Sequence, residues 1–191
     1  VLAALATQKP EHSLLGRPAG ATEVANSFDE SALRVRAKAE LTAKGDRVTP
    51  VNIEKWVAPH KARHEIARNI QPLRAAGAAV EYRTCDVADA DSLSHILADV
   101  RARFGHVHGV LHAAGLEESK KLADKDEGAF DRAWKPKAEA AFQLAKLTEK
   151  DSLRFFLMFG SVAGRYGNAS QADYSAANDA ISKLARTLRH K

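Results

Sequence analysis

The chain has 191 residues, 45% of them hydrophobic and 28% charged, which is one domain's worth of ordinary globular protein and enough to bury a sizeable core. Its longest apolar runs, such as Phe155 to Phe159, are too short to span a bilayer, and no block of like charge produces the formal net charge of +5. A single cysteine, Cys85, excludes an internal disulfide framework and a cysteine-rich metal site, so a reducing, cytoplasmic location is the default. Lys and Arg are densest between Arg34 and Arg68, where solvated helix faces are expected rather than a nucleic-acid surface. A docking face for an acidic partner is a third reading of that charge. Val1 to Ala6 carries neither a basic leader nor a cleavage pattern, and with no starting Met the chain reads as a piece of a longer polypeptide.

Taken in order, Val1 to Gln8 is Ala/Leu-rich and reads as the last turns of a helix. Ser13 to Arg17 reads as the carboxyl end of a buried strand, broken by Pro18-Ala19-Gly20. From Ala21 to Lys61 the pattern is polar and helical in pieces. Asp29-Glu30-Ser31 caps a helix through Leu41, Gly45 ends it, and Thr49-Pro50 starts another. That second helix is expected to reach about Ala76, with interruptions at Pro59 and Pro72.

After Gly77 the rhythm changes. Ala78 to Cys85 reads as a strand, Asp89 to Phe104 as an amphipathic helix, and Val107 to His112 as a strand broken by Ala113-Ala114-Gly115. Phe130 to Leu147 is a long helix, Leu153 to Phe159 an apolar strand, Gly160 to Gly167 a loop, and Gln171 to Leu188 a helix. Alternating strands and helices with continuously apolar strands predict an α/β, Rossmann-like, doubly wound parallel sheet covered on both faces. Such a layout serves many chemistries, so function has to come from the site.

In a doubly wound sheet, ligands sit beyond the carboxyl ends of the strands. Arg17, Asp86-Val87, Ala113-Ala114-Gly115 and Ser161 each follow a predicted strand, which points four strand ends at one crevice. Tyr174 and Asn178 stand four residues apart on one helical face and can reach the same pocket. A phenol with an unperturbed pKa of about 10 is a weak acid at neutral pH and needs a neighbouring cation. Lys137, on the preceding long helix, is the expected cation. The constellation is then a proton donor (Tyr174), its activating cation (Lys137), a carbonyl-polarising hydroxyl (Ser161), and Asn178 to hold the lysine or a relay water.

The bland readings stand beside these. Asp86 alone could be a turn or cap residue, Arg17 surface charge, and Cys85 an inert buried thiol. His106, His108 and His112 alternate at a strand start, but without a carboxylate or Cys cluster they are read as structural and no metal is expected.

The run from Phe159 to Asn178, with Gly160-Ser161-Val162-Ala163-Gly164 at its head and Tyr174-Ser175-Ala176-Ala177-Asn178 at its end, resembles the ketoreductase signature of polyketide and animal-type fatty-acid synthases. In that family Asn follows the Tyr where the broader short-chain dehydrogenases place Lys, and the catalytic Lys comes from an upstream helix. Trp134-Lys135-Pro136-Lys137 resembles that segment, with Lys137 in the matching place. Gly109 to Gly115 is similar to the strand and turn over the nicotinamide ribose, Cys85-Asp86-Val87 to the adenine-contacting turn, and Leu14 to Arg17 to the second strand, whose Arg faces the 2′-phosphate of NADPH.

The resemblance implies an NADPH-dependent reduction of a β-ketoacyl thioester to the β-hydroxyacyl thioester. The acyl chain would be carried on the phosphopantetheine arm of an acyl carrier protein, with other synthase domains as neighbours and neither nucleic acid nor membrane as partner. It also implies that Arg17, Asp86, Val87, Ala113, Ala114 and Gly115 contact the cofactor. Three features depart from the pattern. The glycine-rich phosphate loop is absent, so the Rossmann domain over 1–191 is expected to be incomplete at its N-terminus, as at its C-terminus. The segment at about 18–61 reads as a helical insertion similar to that of some iterative synthases, including those that make polyunsaturated fatty acids. Leu116-Glu117-Glu118-Ser119 replaces the family's Leu-Asp-Asp fingerprint, and Tyr166 stands where one stereochemical class carries Trp. Alternative readings are a non-catalytic reductase-like subdomain that braces a synthase, and a stand-alone reductase of a free carbonyl compound.

Overall fold

The computed structural model describes residues 28–189 in full and the strand backbone of residues 2–6 and 11–16. The described residues form two compact units, one over 2–6, 11–16 and 80–189, the other over 28–79.

The smaller unit is a helical hairpin of α1 (Glu30–Ala43) and α2 (Pro50–Ala75). Both start where cap chemistry predicts. Asp29 accepts hydrogen bonds from the backbone N–H groups of Ser31 and Ala32, and Thr49 accepts one from Asn52 with Pro50 in the first turn. Ala37, Leu41, Ile53 and Val57 form the seam between the helices, flanked by Leu33 and Trp56. Lys61 pairs with Glu30 at 2.7 Å, and Arg34 bridges Glu30 and Glu54 on the rim. The expected interruptions at Pro59 and Pro72 do not occur, because α2 runs through both. Each proline forfeits one backbone hydrogen bond. The buried Val57 and the stacking of Trp56 on His60 at 4.4 Å flank the first.

The larger unit is a five-stranded sheet with helices packed on it. The strands are β1 (Leu2–Ala6), β2 (Glu11–Gly16), β3 (Ala79–Thr84), β4 (Gly109–His112) and β5 (Phe155–Met158), in the order β3-β2-β1-β4-β5. β4 and β5 pair in parallel, as expected, and this α/β sheet is Rossmann-like in class. Residues 2–6 are a strand and not the end of a helix. β1 pairs antiparallel with β2 on one side and with β4 on the other, giving a mixed sheet. Four residues separate β1 from β2, and so short a connection permits only antiparallel pairing, since a parallel return needs a dozen residues or more. Five residues of Ala and Leu cannot sustain a helix alone, whereas a strand slotted between two others pairs its backbone on both edges.

Helices α3 (Ala90–Phe104) and α5 (Ala140–Leu147) cover one sheet face. Their Leu93, Leu97, Val100 and Leu144 close over Cys85, Val87, Val107 and Val110, all buried. At about 1.5–3 kcal/mol for each fully buried large aliphatic side chain, this cluster is the main stabiliser of the unit. Arg101 clamps it shut, donating to both carboxylate oxygens of Asp151 and, at 2.6 Å, to the carbonyl of Leu147. A second cluster joins Ala138 and Ala141 to Ala177, Ile181 and Leu184 of α7 (Ala172–Arg189). The strand expected to be buried on both faces, β5, is not. Phe155, Leu157 and Phe159 are exposed, alternating with the half-buried Phe156 and Met158. No helix of the described residues is long and apolar enough to cross a membrane.

Candidate active site

The long helix expected over Phe130 to Leu147 is three pieces in one line: α4 (Glu127–Trp134), a π-helical turn (Lys135–Glu139) and α5. Pro136 explains the change. It has no N–H to return to the carbonyl four residues back, and its ring crowds that carbonyl, so the chain widens locally into a π turn. The turn carries Lys137 inward. Its side chain is only 5% exposed, and its Nζ donates to the carbonyl of Phe159 at 3.0 Å and to that of Ala114 at 3.4 Å. Those carbonyls close the ends of β5 and β4, so the ammonium pins the two strand ends together. Burial pushes the Lys137 ammonium below the usual lysine range. Gly115 makes room for it, because a Cβ there would lie 3.1 Å from Nζ.

The Lys137 ammonium lies 6.0 Å from the centre of the Tyr174 ring. The structure therefore brings the predicted cation and the predicted proton donor together from separate helices. Asn178 is fully buried one turn along, and its amide donates to the Tyr174 carbonyl at 2.8 Å. Its side-chain oxygen is buried without a partner. Ser161 follows β5, and its Oγ accepts from the backbone N–H of Ala163 at 3.2 Å, which starts the short helix α6 (Ala163–Tyr166) inside the expected loop. The hydroxyl proton remains free of that bond, so Ser161 can still donate.

Gly164 sets how closely α6 rests on α7. A Cβ there would stand 2.8 Å from the backbone carbon and the Cβ of Asn178 and from the backbone nitrogen of Asp179. Gly164→Ala is therefore expected to lose about 1–3 kcal/mol of stability, since neither backbone can yield without moving a helix. Thermal denaturation measures the loss, and a wild-type melting curve would show that the contact relaxes freely.

Two further groups at the site carry no functional signature in the sequence. His112 ends β4 fully buried, with Nε2 2.8 Å from the Lys137 carbonyl. Asp173, beside Tyr174, is paired with Lys125 at 2.8 Å, and both side chains are at most 5% exposed. An apolar strand carrying one His, and a Pro within a helical run, are the available signals for the first. A charge at the start of a helix gives no sign of the second.

The expected cofactor contacts sit as follows. Asp86 is an exposed turn residue whose Oδ1 accepts from the N–H of Ala88 at 3.1 Å, and Val87 is buried in the core cluster. Ala113 is exposed beyond β4, Ala114 is buried, and Gly115 borders Lys137. Arg17 lies outside the described residues. The Cys85 thiol is buried and donates to the Asp86 carbonyl at 3.4 Å, and burial, with Asp86 and Asp89 nearby, raises its pKa. Among the described residues no group of three or more His, Cys, Asp or Glu could hold a metal ion. Glu117 and Ser119 accept from the Gln171 amide, Glu118 pairs with Lys120 and Arg132, and Tyr166 is exposed on α6.

Comparison with known proteins decides the family, since the model of the KR domain matches residues 41–191. The chain belongs to the KR-domain family. These are the ketoreductase domains of type I synthases, within the short-chain dehydrogenase/reductase superfamily. The chain is 28% identical over 173 residues, 87% of its length, to one component of the polyunsaturated fatty acid synthase of Thraustochytrium sp.. It is 38% identical over 117 residues, 61% of its length, to the polyketide synthase GfsB of Streptomyces halstedii. It spans 6% and 2% of those two proteins, which are far longer. Among solved structures, a ketoreductase domain from the bacillaene assembly line matches with a TM-score of 0.59 and 28% identity, over 83% of this chain and 37% of that one. An N-terminal ketoreductase from the macrolactin assembly line gives 0.62 and 27%, over 66% and 27%.

Proposed function

We propose that the chain is the core of a ketoreductase that reduces a β-ketoacyl thioester, carried on an acyl carrier protein, to the β-hydroxyacyl thioester with NADPH. One observation carries this reading. A buried lysine from a π turn, held by the ends of two adjacent strands, faces the ring of the one tyrosine that opens α7. A nicotinamide cofactor is supported by the family, by Gly115, which has no Cβ to crowd the ammonium, and by the unpartnered buried acceptor of Asn178 one turn from Tyr174. NADPH, when bound, supplies the hydride.

The chain's own residues do the rest. Tyr174 and Ser161 hold the β-carbonyl oxygen, and their donors strengthen as negative charge develops on it. Tyr174 then gives its hydroxyl proton to that oxygen. The carbonyl carbon gains hydride and its oxygen gains a proton, so the ketone becomes a secondary alcohol with no other bond broken. The Lys137 cation stabilises the phenolate left behind, and Asn178 offers an acceptor for the water that returns the proton.

The experiment that tests this is oxidation of NADPH by the purified chain with a β-ketoacyl group presented on a carrier protein and, separately, as a free thioester surrogate. Turnover faster on the carrier is the expected result. Binding of NADPH with no reduction of either substrate would overturn the reading.

A further inference from the structure

We propose that His112 is a positioning residue for the reaction. Its Nε2–H, donated to the Lys137 carbonyl, holds the π turn that directs the Lys137 ammonium at Tyr174. The inference rests on the proposed roles of those two residues. It begins from the bond itself, which at 2.8 Å is of ordinary length. A carbonyl oxygen only accepts, so the hydrogen must sit on Nε2. Nδ1 is then a bare acceptor, and it is buried without a partner. Burial pushes the pKa of His112 below the usual histidine range, opposed by the bond to the Lys137 carbonyl and aided by the Lys137 charge. The imidazole is therefore a neutral, single-donor group of fixed tautomer.

The geometry gives that donor a specific task. In the π turn the N–H of Ala140 reaches back five residues to Lys135, the wide spacing that admits Pro136. π turns are rare because their hydrogen bonds are less well arranged, and they persist where something outside the helix supports them. His112 supplies that support from β4. It stands two residues before Ala114, whose own carbonyl receives the ammonium of the same lysine. The end of β4 and the residues just beyond it therefore grip Lys137 twice, its backbone carbonyl through His112 and its side chain through Ala114. A fully buried polar side chain on an otherwise apolar strand is costly unless its bond does something, and this bond fixes the lysine.

Two replacements separate positioning from packing. His112→Gln keeps an amide donor at similar reach, whereas His112→Leu keeps apolar bulk and removes the donor. Turnover in His112→Leu is expected to fall about 10²-fold, as for a catalytic group misplaced by about 1 Å, with substrate KM and NADPH affinity little changed. His112→Gln is expected to stay within a few-fold of wild type. Leu retaining turnover while Gln loses it would mean that the ring acts by packing alone, and the inference fails. A second readout needs no substrate: NMR titration of the chain labelled at lysine Cε. The Lys137 signal is expected to titrate below the ordinary lysine range in wild type and His112→Gln, and to move up towards it in His112→Leu. If the wild-type chain reduces no β-ketoacyl thioester, the functional reading fails and this titration alone decides the inference. An unmoved Lys137 in His112→Leu overturns it.

Discussion

Tyr174→Phe is expected to lower reduction of a β-ketoacyl thioester by about 10²- to 10⁴-fold, the range for loss of a positioned general acid, while NADPH affinity stays near wild type. The expectation follows from where the residue sits. The change deletes one oxygen and leaves the ring, whose face the Lys137 ammonium approaches to 6.0 Å, and it leaves the backbone carbonyl that Asn178 holds at 2.8 Å. Packing and helix capping should therefore survive, and stopped-flow or steady-state assays would report the proton step alone. Lys137→Met should fail to a similar degree for a different reason. It removes the cation that stabilises the phenolate and also unties the carbonyls of Phe159 and Ala114. Because the two residues act as a unit, the double variant should be no slower than the slower single one. Additive losses would show two independent roles, and full activity in Tyr174→Phe would place the proton donor elsewhere.

The pairing of Tyr174 with Asn178 is legible in the sequence because it depends on local spacing. Tyr174 and Asn178 are one helical turn apart, and helical periodicity alone puts them on one face. The ends of β4 and β5 are equally legible, as apolar runs stopped by Ala113-Ala114-Gly115 and by Gly160. What cannot be read are features decided by the third dimension. Pro136 signals trouble in a helix, but a kink, a break and a π turn share that signal, and only the buried acceptors for Lys137 favour the last. The strand character of β1 escapes the sequence for a related reason. Its Ala/Leu composition suits a helix by propensity, and pairing with β2 and β4 overrides so weak a preference. The exposure of Phe155 and Leu157 shows the limit of reading burial from composition, since an apolar strand reports its own chemistry and not what lies against it.

The largest stability effect is expected at the ion pair that precedes the tyrosine. Lys125 Nζ donates to Asp173 Oδ2 at 2.8 Å and to the Glu118 carbonyl at 2.7 Å, and Asp173 Oδ1 accepts from the backbone N–H of Tyr174. The pair ties the start of α7 to the segment after β4. The N–H of Lys120, donating to the Ser170 carbonyl at 3.0 Å, and the Gln171 contacts reinforce it. Lys125→Met would leave the Asp173 carboxylate buried without its cation, and breaking a buried pair on one side costs about 3–5 kcal/mol. For a unit of this size that is a fall in Tm of roughly 6–20 °C, readable by thermal denaturation. The paired change Lys125→Met with Asp173→Leu removes both charges and should recover much of the loss, because an apolar pair of similar volume needs no desolvated ions. It would not recover the N–H of Tyr174, which loses its acceptor. The double variant is thus expected to regain stability ahead of turnover, and parallel recovery of both would show that this end of α7 is positioned by its packing and not by the carboxylate.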